Sequence, residues 1–208
     1  MKRIIACILF GAFFSCNSKE NKQSGGDTVS IPKQQTKIIN DSMALPLSKE
    51  ILTAVKNKDY EKFASFIDSI EGIRFSSYGY IDTTRDKTFT IQHFLNYSTD
   101  EKNVKFTWGV YDGSSEKIIL TVDEYFKKFV YDVDFLNAPH INLNKTMSAG
   151  NSFNNIDSIY KNCVYVEFYF PGFDKKYEGM DWRSLKLVFK KAGNKLNLVA
   201  IIHDQWTI

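Results

Sequence analysis

Cysteine and histidine are both scarce in this chain. Three cysteines occur in 208 residues, Cys7, Cys16 and Cys163, and three histidines, His93, His140 and His203. No histidine stands at metal-ligand spacing from another histidine or a cysteine, so no metal centre is expected. A Gly-rich phosphate loop, a nucleophile elbow and a zincin helix are all missing. The common catalytic signatures are therefore absent, and no cofactor is expected. No apolar run approaches the roughly twenty residues that cross a bilayer. An excess of one charge is lacking as well: 27 Lys and Arg against 24 Asp and Glu leave a formal charge of +3. A near-neutral chain has no electrostatic footprint for nucleic acid, which argues against that partner.

The N-terminus holds the clearest pattern. Met1-Lys2-Arg3 is basic, and Ile4 to Phe14 is apolar, about eleven residues and too short for a membrane helix. A basic start followed by a short apolar stretch reads as a secretory signal peptide over residues 1–15. It ends on Phe13-Phe14-Ser15-Cys16. This ending resembles the lipobox of bacterial lipoproteins, with Ser15 in the small position and Cys16 as the cysteine. Phe13 and Phe14 depart from that family's preference for Leu and then a smaller residue. The resemblance implies a diacylglycerol on the Cys16 sulfur, cleavage just before it, and a further acyl chain, such as palmitate, on the new amino group. Two or more chains suffice for stable anchoring. Asn17, in place of Asp, leans the resemblance towards the outer membrane of the cell envelope. The alternative is a core cysteine in an ordinary N-terminal segment.

Taking 15 residues from 208 leaves 193, enough for one good core. The loss of Lys2 and Arg3 lowers the charge from +3 to +1. Cys163 is then alone, no intrachain disulfide is possible, and the residue reads as a small buried hydrophobe in a strand. Residues 16–44 form the lipidated cysteine and a polar tether, which holds the domain about 30 Å from the bilayer. One domain follows over residues 45–208.

Ser48 is a candidate N-cap, with Ile51, Leu52 and Val55 at helical spacing behind it. Asn57-Lys58-Asp59 interrupts, and Tyr60, Phe63, Ala64 and Ile67 make a second stripe. Gly72 closes this part. Ile73 to Ile81 is extended, and Phe89 to Tyr97 is a short helix. Val104, Phe106, Trp108 and Val110 alternate as a half-buried strand, with a return at Lys117 to Leu120 after Asp112-Gly113. Thr121 and Glu124 match a capping box and open a helix carrying Tyr125, Phe126, Phe129 and Val130. Leu136 to Asp157 is expected as a long loop. Cys163 to Phe170, Trp182 to Lys191 and Leu196 to Ile208 are three closing strands, the last of them central.

Helices first and an antiparallel meander last predict an α+β fold. The order is similar to the NTF2-like (cystatin-like) architecture, in which N-terminal helices pack on a curved antiparallel sheet with its C-terminal strands central. The likeness covers residues 47–208 and rests on the closing strands. In that family the concave face and the helices enclose a pocket that some members use for acid/base chemistry and others for binding alone. The resemblance implies Trp108, Tyr165, Glu167, Tyr169 and His203 as pocket candidates. From the residues themselves, Tyr165, Glu167 and Tyr169 share one strand face. That face is either a polar pocket lining or a surface where Glu167 meets Lys186 or Arg183 across the strands. His203 and Asp204 point to opposite faces and cannot pair with each other. Arg74, Tyr78 and Tyr80 suit carboxylate or sugar recognition, or else an arginine capping carbonyls.

Asn96 and Asn144 head glycosylation sequons that a bacterial chain would carry by chance. Five Asp-Ser/Thr triplets, at Asp27, Asp41, Asp68, Asp82 and Asp157, resemble an O-glycosylation motif of some bacteria, with Thr28 the best exposed candidate. The leading expectation is a non-catalytic envelope protein that binds a small ligand, a glycan or a protein partner in an aromatic cleft. Its rival is an envelope enzyme using Glu167 or His203 as acid/base.

Overall fold

The structure, a computed structural model, describes residues 41–147 and 153–207. The signal segment, Cys16, Thr28 and the tether as far as residue 40 lie outside the described residues.

Helix α1 spans Ala44–Lys56 and buries Ile51, Leu52 and Val55. It starts ahead of the expected cap. Pro46 is tolerated in a first turn, where an amide N–H would have no helical partner. Ser48 is therefore inside the helix, and its hydroxyl donates back one turn to the Ala44 carbonyl at 2.7 Å. The break at Asn57 to Asp59 is as expected: Lys58 takes φ +55°, and Asp59 caps α2 (Tyr60–Ala64) by accepting from the Lys62 N–H.

Strands β1 (Ile73–Ser76) and β2 (Lys87–Phe89) follow, then α3 (Ile91–Leu95), which a π-helical turn extends to Asp100. Strands β3 (Phe106–Val110) and β4 (Lys117–Leu120) pair as a separate hairpin. Helix α4 (Val122–Tyr125) opens on the Thr121–Glu124 capping box with both reciprocal bonds formed, and continues through a π-helical turn to Val130. Strand β5 (His140–Leu143) and helix α5 (Ile156–Ile159) come next, then β6 (Cys163–Phe170), β7 (Arg183–Ala192) and β8 (Lys195–Gln205).

The main sheet has six strands in the order β2-β1-β8-β7-β6-β5. Its pairings are antiparallel except for β1 against β8, where Arg74 lies opposite Ala200 in parallel. The fold is thus mixed α+β on a mostly antiparallel sheet, with β7 and β8 in the middle. Strand β5 corrects the expectation of a continuous loop over 136–157: four residues after Pro139 pair with β6. A short edge strand beside a proline carries little signal of its own.

Alternation sorts the side chains of the sheet onto two faces. Val164, Val166, Phe168, Leu185, Leu187, Phe189, Leu198 and Ile201 meet the helical aromatics Phe63, Phe94, Phe126 and Phe129 in the main core. Tyr165, Val188, Ala200 and Ile202 form a smaller cluster on the opposite face with Ile81 and Ile156. A β-bulge after Val188 shifts the register of β8, so Val199 and Ala200 both join that second face.

Candidate functional site

Of the five residues expected to line one pocket, Trp108 lies on the separate β3–β4 hairpin and the other four divide between the two faces of the main sheet. Tyr165, Glu167 and Tyr169 share a side of β6, but it is the side on which Ile156 of α5 packs, away from the main core. Glu167 sits directly opposite Lys186 in the register, with Lys186 Nζ 3.3 Å from its Oε1. Ser184 Oγ donates to the same oxygen at 2.8 Å, and the Met147 N–H donates to Oε2. Lys186 Nζ also lies 3.9 Å from Asp204 Oδ2. Glu167, Ser184, Lys186 and Asp204 are all fully buried. The cross-strand charge pair allowed by the sequence is what forms, with the difference that it is buried inside the molecule. Both oxygens of Glu167 are engaged, which suits a structural role. Tyr165 and Tyr169 are also buried, and burial pushes both hydroxyls up.

His203 is on the helical side and fully buried. Its Nδ1 faces the Ser77 carbonyl at 3.2 Å, and its Nε2 faces Asp132 Oδ1 at 3.4 Å. Arg183 Nε donates to Asp132 Oδ2 at 3.0 Å. Burial pushes the Asp132 carboxyl up, but contact with His203 and then with Arg183 outweighs this and holds it below the usual carboxylate range. Fully buried between the Ser77 carbonyl and Asp132, the ring lies out of a substrate's reach. Cys163 is half-buried, and burial raises its thiol, which suits the bland packing role expected of it.

Trp108 belongs to a different place. Its ring stacks on Tyr125 at 3.8 Å and 10°, and its Nε1 donates to the Leu120 carbonyl at 2.8 Å. It forms part of the floor of a cleft of about 420 Å³, within the range of small-molecule sites. The segment after β1 makes one wall, with Tyr78 and Tyr80. The end of β3 and its turn make the other, with Tyr111 and Asp112, and Phe153 stands at the edge.

Local bonds shape this wall. Ser76 Oγ donates to the carbonyls of Tyr78 at 2.9 Å and Tyr80 at 3.2 Å, folding the chain over itself. Gly79 is required there, because a Cβ would lie 2.5 Å from Asp204 Oδ2. Asn155 then clasps Ile81, accepting from its N–H at 2.8 Å and donating to its carbonyl at 3.0 Å. That clasp holds the stretch after Phe153 against the cleft.

The turn over residues 82–86 closes on itself. Asp82 Oδ1 accepts from the Thr84 hydroxyl at 2.6 Å and the Thr84 N–H at 3.0 Å. The Asp82 N–H donates to Asp86 Oδ2 at 3.0 Å. The two carboxyls behave oppositely. The Thr84 hydroxyl holds Asp82 below the usual range. Burial pushes Asp86 up to about 7, although Ser76 and Arg74 pull the other way. Two carboxyls driven apart in one cleft mark it as the strongest candidate site.

Of the residues singled out in the sequence, Trp108, Tyr78 and Tyr80 reach the cleft, whereas Tyr165, Glu167, Tyr169 and His203 do not line it. Arg74 donates to the Thr83 carbonyl at 3.3 Å, the capping role left open for it. Asp86, Tyr111 and Phe153 had no sequence signal, and Asp112 was noted only for the turn it makes with Gly113. Asp82 was noted only as part of an Asp-Thr-Thr triplet, and the turn capped by its side chain was the one local clue.

No family profile matches the chain, and no curated protein matches it. One matching solved structure carries a title naming NTF2 with five substitutions. It is 13% identical, covers 78% of this chain and 97% of its own, and superposes with a TM-score of 0.31. At that score the likeness carries no argument about fold or function.

Proposed function

We propose that this chain is a lipid-anchored protein of the bacterial cell envelope, tethered through Cys16 at the outer membrane, whose NTF2-like domain binds a small ligand without catalysis. The lipobox-like ending at Phe13–Cys16 supports the anchor. The helical layer on one face, with β7 and β8 central, supports the domain reading.

The observation that carries the binding role is the cleft beneath Tyr78, Tyr80 and Tyr111. Tyr80 is 55% exposed and Phe153 82% exposed at its mouth, so two aromatic rings face solvent beside half-buried polar groups. Exposed rings around a concave polar floor suit a ligand with an apolar face and a polar edge. Catalysis through Glu167 or His203 has no such support, since both are buried and engaged by neighbours.

Native mass spectrometry of the full chain in detergent micelles tests this reading. The expected result is a bound small molecule that departs on denaturation and is lost from the Tyr80→Ala and Phe153→Ala variants. A ligand retained equally by both variants would place binding elsewhere and overturn the reading.

A further inference from the structure

The walls of the cleft carry more negative charge than positive. Asp82, Asp86 and Asp112 line it, against Arg85 alone. Arg85 is partly neutralised already, with its Nε 3.5 Å from Asp82 Oδ2. Asp86 lies half-buried behind them. Its Oδ2 accepts from the Asp82 N–H, and the Ser76 hydroxyl and the Arg74 charge act on it from β1.

The carboxylates do not converge on a point. Among the described residues, no group of three or more His, Cys, Asp or Glu side chains is placed to hold a metal ion. The charge is spread around a volume of about 420 Å³ and interleaved with Tyr78, Tyr80, Tyr111 and Phe153. Aromatic faces attract cations through the ring quadrupole, and most strongly those of low hydration. Rings in this neighbourhood already do so: Lys128 Nζ lies 4.5 Å from the centre of the Tyr111 ring. A compact metal ion would need converging oxygens, whereas a bulky organic cation needs a spread of carboxylates and rings.

We infer that the ligand of this cleft is an organic ammonium compound, held by its positive charge against Asp86, Asp82 and Asp112 and by its alkyl groups against Tyr80 and Phe153. This rests on the cleft being the binding site, and it adds the chemical class of the ligand. A neutral saccharide would use the rings but would leave the carboxylate excess without a purpose.

The inference carries a pH signature with a definite sign. Burial places the Asp86 carboxyl near 7, so it gains its charge as pH rises through neutrality. The groups that face it are Arg74 and Ser76 from β1, Asp82 from its own turn, Tyr125 from α4 and Tyr160 after α5. Burial raises both tyrosine hydroxyls, so neither ionises near neutrality. Asp82 is ionised well below this range. Asp86 is therefore the member of the set that changes charge there.

Isothermal titration of the full chain in detergent, with choline and its uncharged carbon isostere dimethylbutanol, tests the class. Choline is expected to bind, with affinity rising about tenfold from about pH 5.5 to about pH 8.5, since one shifted unit of pKa is a factor of ten. The isostere should bind at least about tenfold more weakly at the upper pH. Asp86→Asn should abolish the pH dependence, and Tyr80→Ala should weaken choline at every pH. Equal binding of the isostere, or an affinity insensitive to pH, overturns the cationic class. A neutral trisaccharide that binds through Tyr80 while choline does not would overturn it and leave the cleft reading standing. Silence of every probe, together with a bare mass in the native spectrum, would remove both.

Discussion

Asp86 shows how burial alone can give an ordinary side chain an unusual property. Its folded pKa of about 7 lies above its unfolded value of about 3.9. The folded state therefore holds the proton more tightly between those limits. The stability due to this group is complete below about pH 4 and is lost as pH rises through about 7. Asp86→Asn should flatten that decline, with no gain near pH 4 and a clear gain near pH 8 in urea unfolding. A variant that shifts stability equally at both values would show that the side chain is not held protonated.

The Lys186 cluster invites a quantitative contrast. Removing one partner of a buried ion pair costs about 3–5 kcal/mol, because the remaining charge is left uncompensated. Exposed pairs contribute less than about 1 kcal/mol. Lys186→Ala should therefore destabilise strongly. Lys56→Ala should do little, although its Nζ is only 3.1 Å from Asp134 Oδ1, because both side chains are nearly half exposed. Chemical denaturation of the two variants checks the ranking, and equal losses would contradict a charge role for Lys186.

Among the elements, those with a local signature were legible. The Thr121–Glu124 box is a pair three residues apart, and both of its bonds are present. Thr121→Ala should cost about 1 kcal/mol and speed amide exchange over Val122–Val130. Protection unchanged in that segment would show that packing, not the cap, starts the helix. Strands β6 and β7 were legible because each is long and alternates, and β8 because Leu198 to Ile202 is apolar on both faces, as a central strand is. Ser48 was misplaced because a serine before an apolar stripe imitates a cap, while Pro46 quietly permits an earlier start. Strand β5 and the β1–β8 pairing were hidden for another reason: a short edge strand and a distant parallel partner leave no periodicity behind. The cleft was hidden for the same reason. Its walls come from residues 76–86, 108–115 and 153, which only the tertiary fold brings together.

For the molecule as a whole, the proposed anchor and the domain can be tested apart. Cys16→Ala should abolish incorporation of labelled palmitate while leaving the thermal unfolding of the domain unchanged. Continued labelling would end the lipoprotein reading, and an altered melt would tie Cys16 to the fold. Limited proteolysis should cut within residues 17–40 and spare the remainder, and resistance of that segment would argue against a tether.

The parallel contact between β1 and β8 has a consequence for the order of assembly. Arg74 and Ala200 are neighbours in the sheet but 126 positions apart along the chain. A ribosome or a translocation pore delivers the chain from one end, so β1 waits for its partner until β8 has emerged. Until then the sheet partner of Ile73 and Phe75 is the short strand β2, with the Phe94, Trp108 and Phe126 rings against Phe75. Contacts of such separation are closed late and slow the formation of the native state. The core therefore cannot seal around its first half early. A chain whose last strand completes the sheet leaves apolar surface uncovered until that strand arrives, which favours aggregation in the interval.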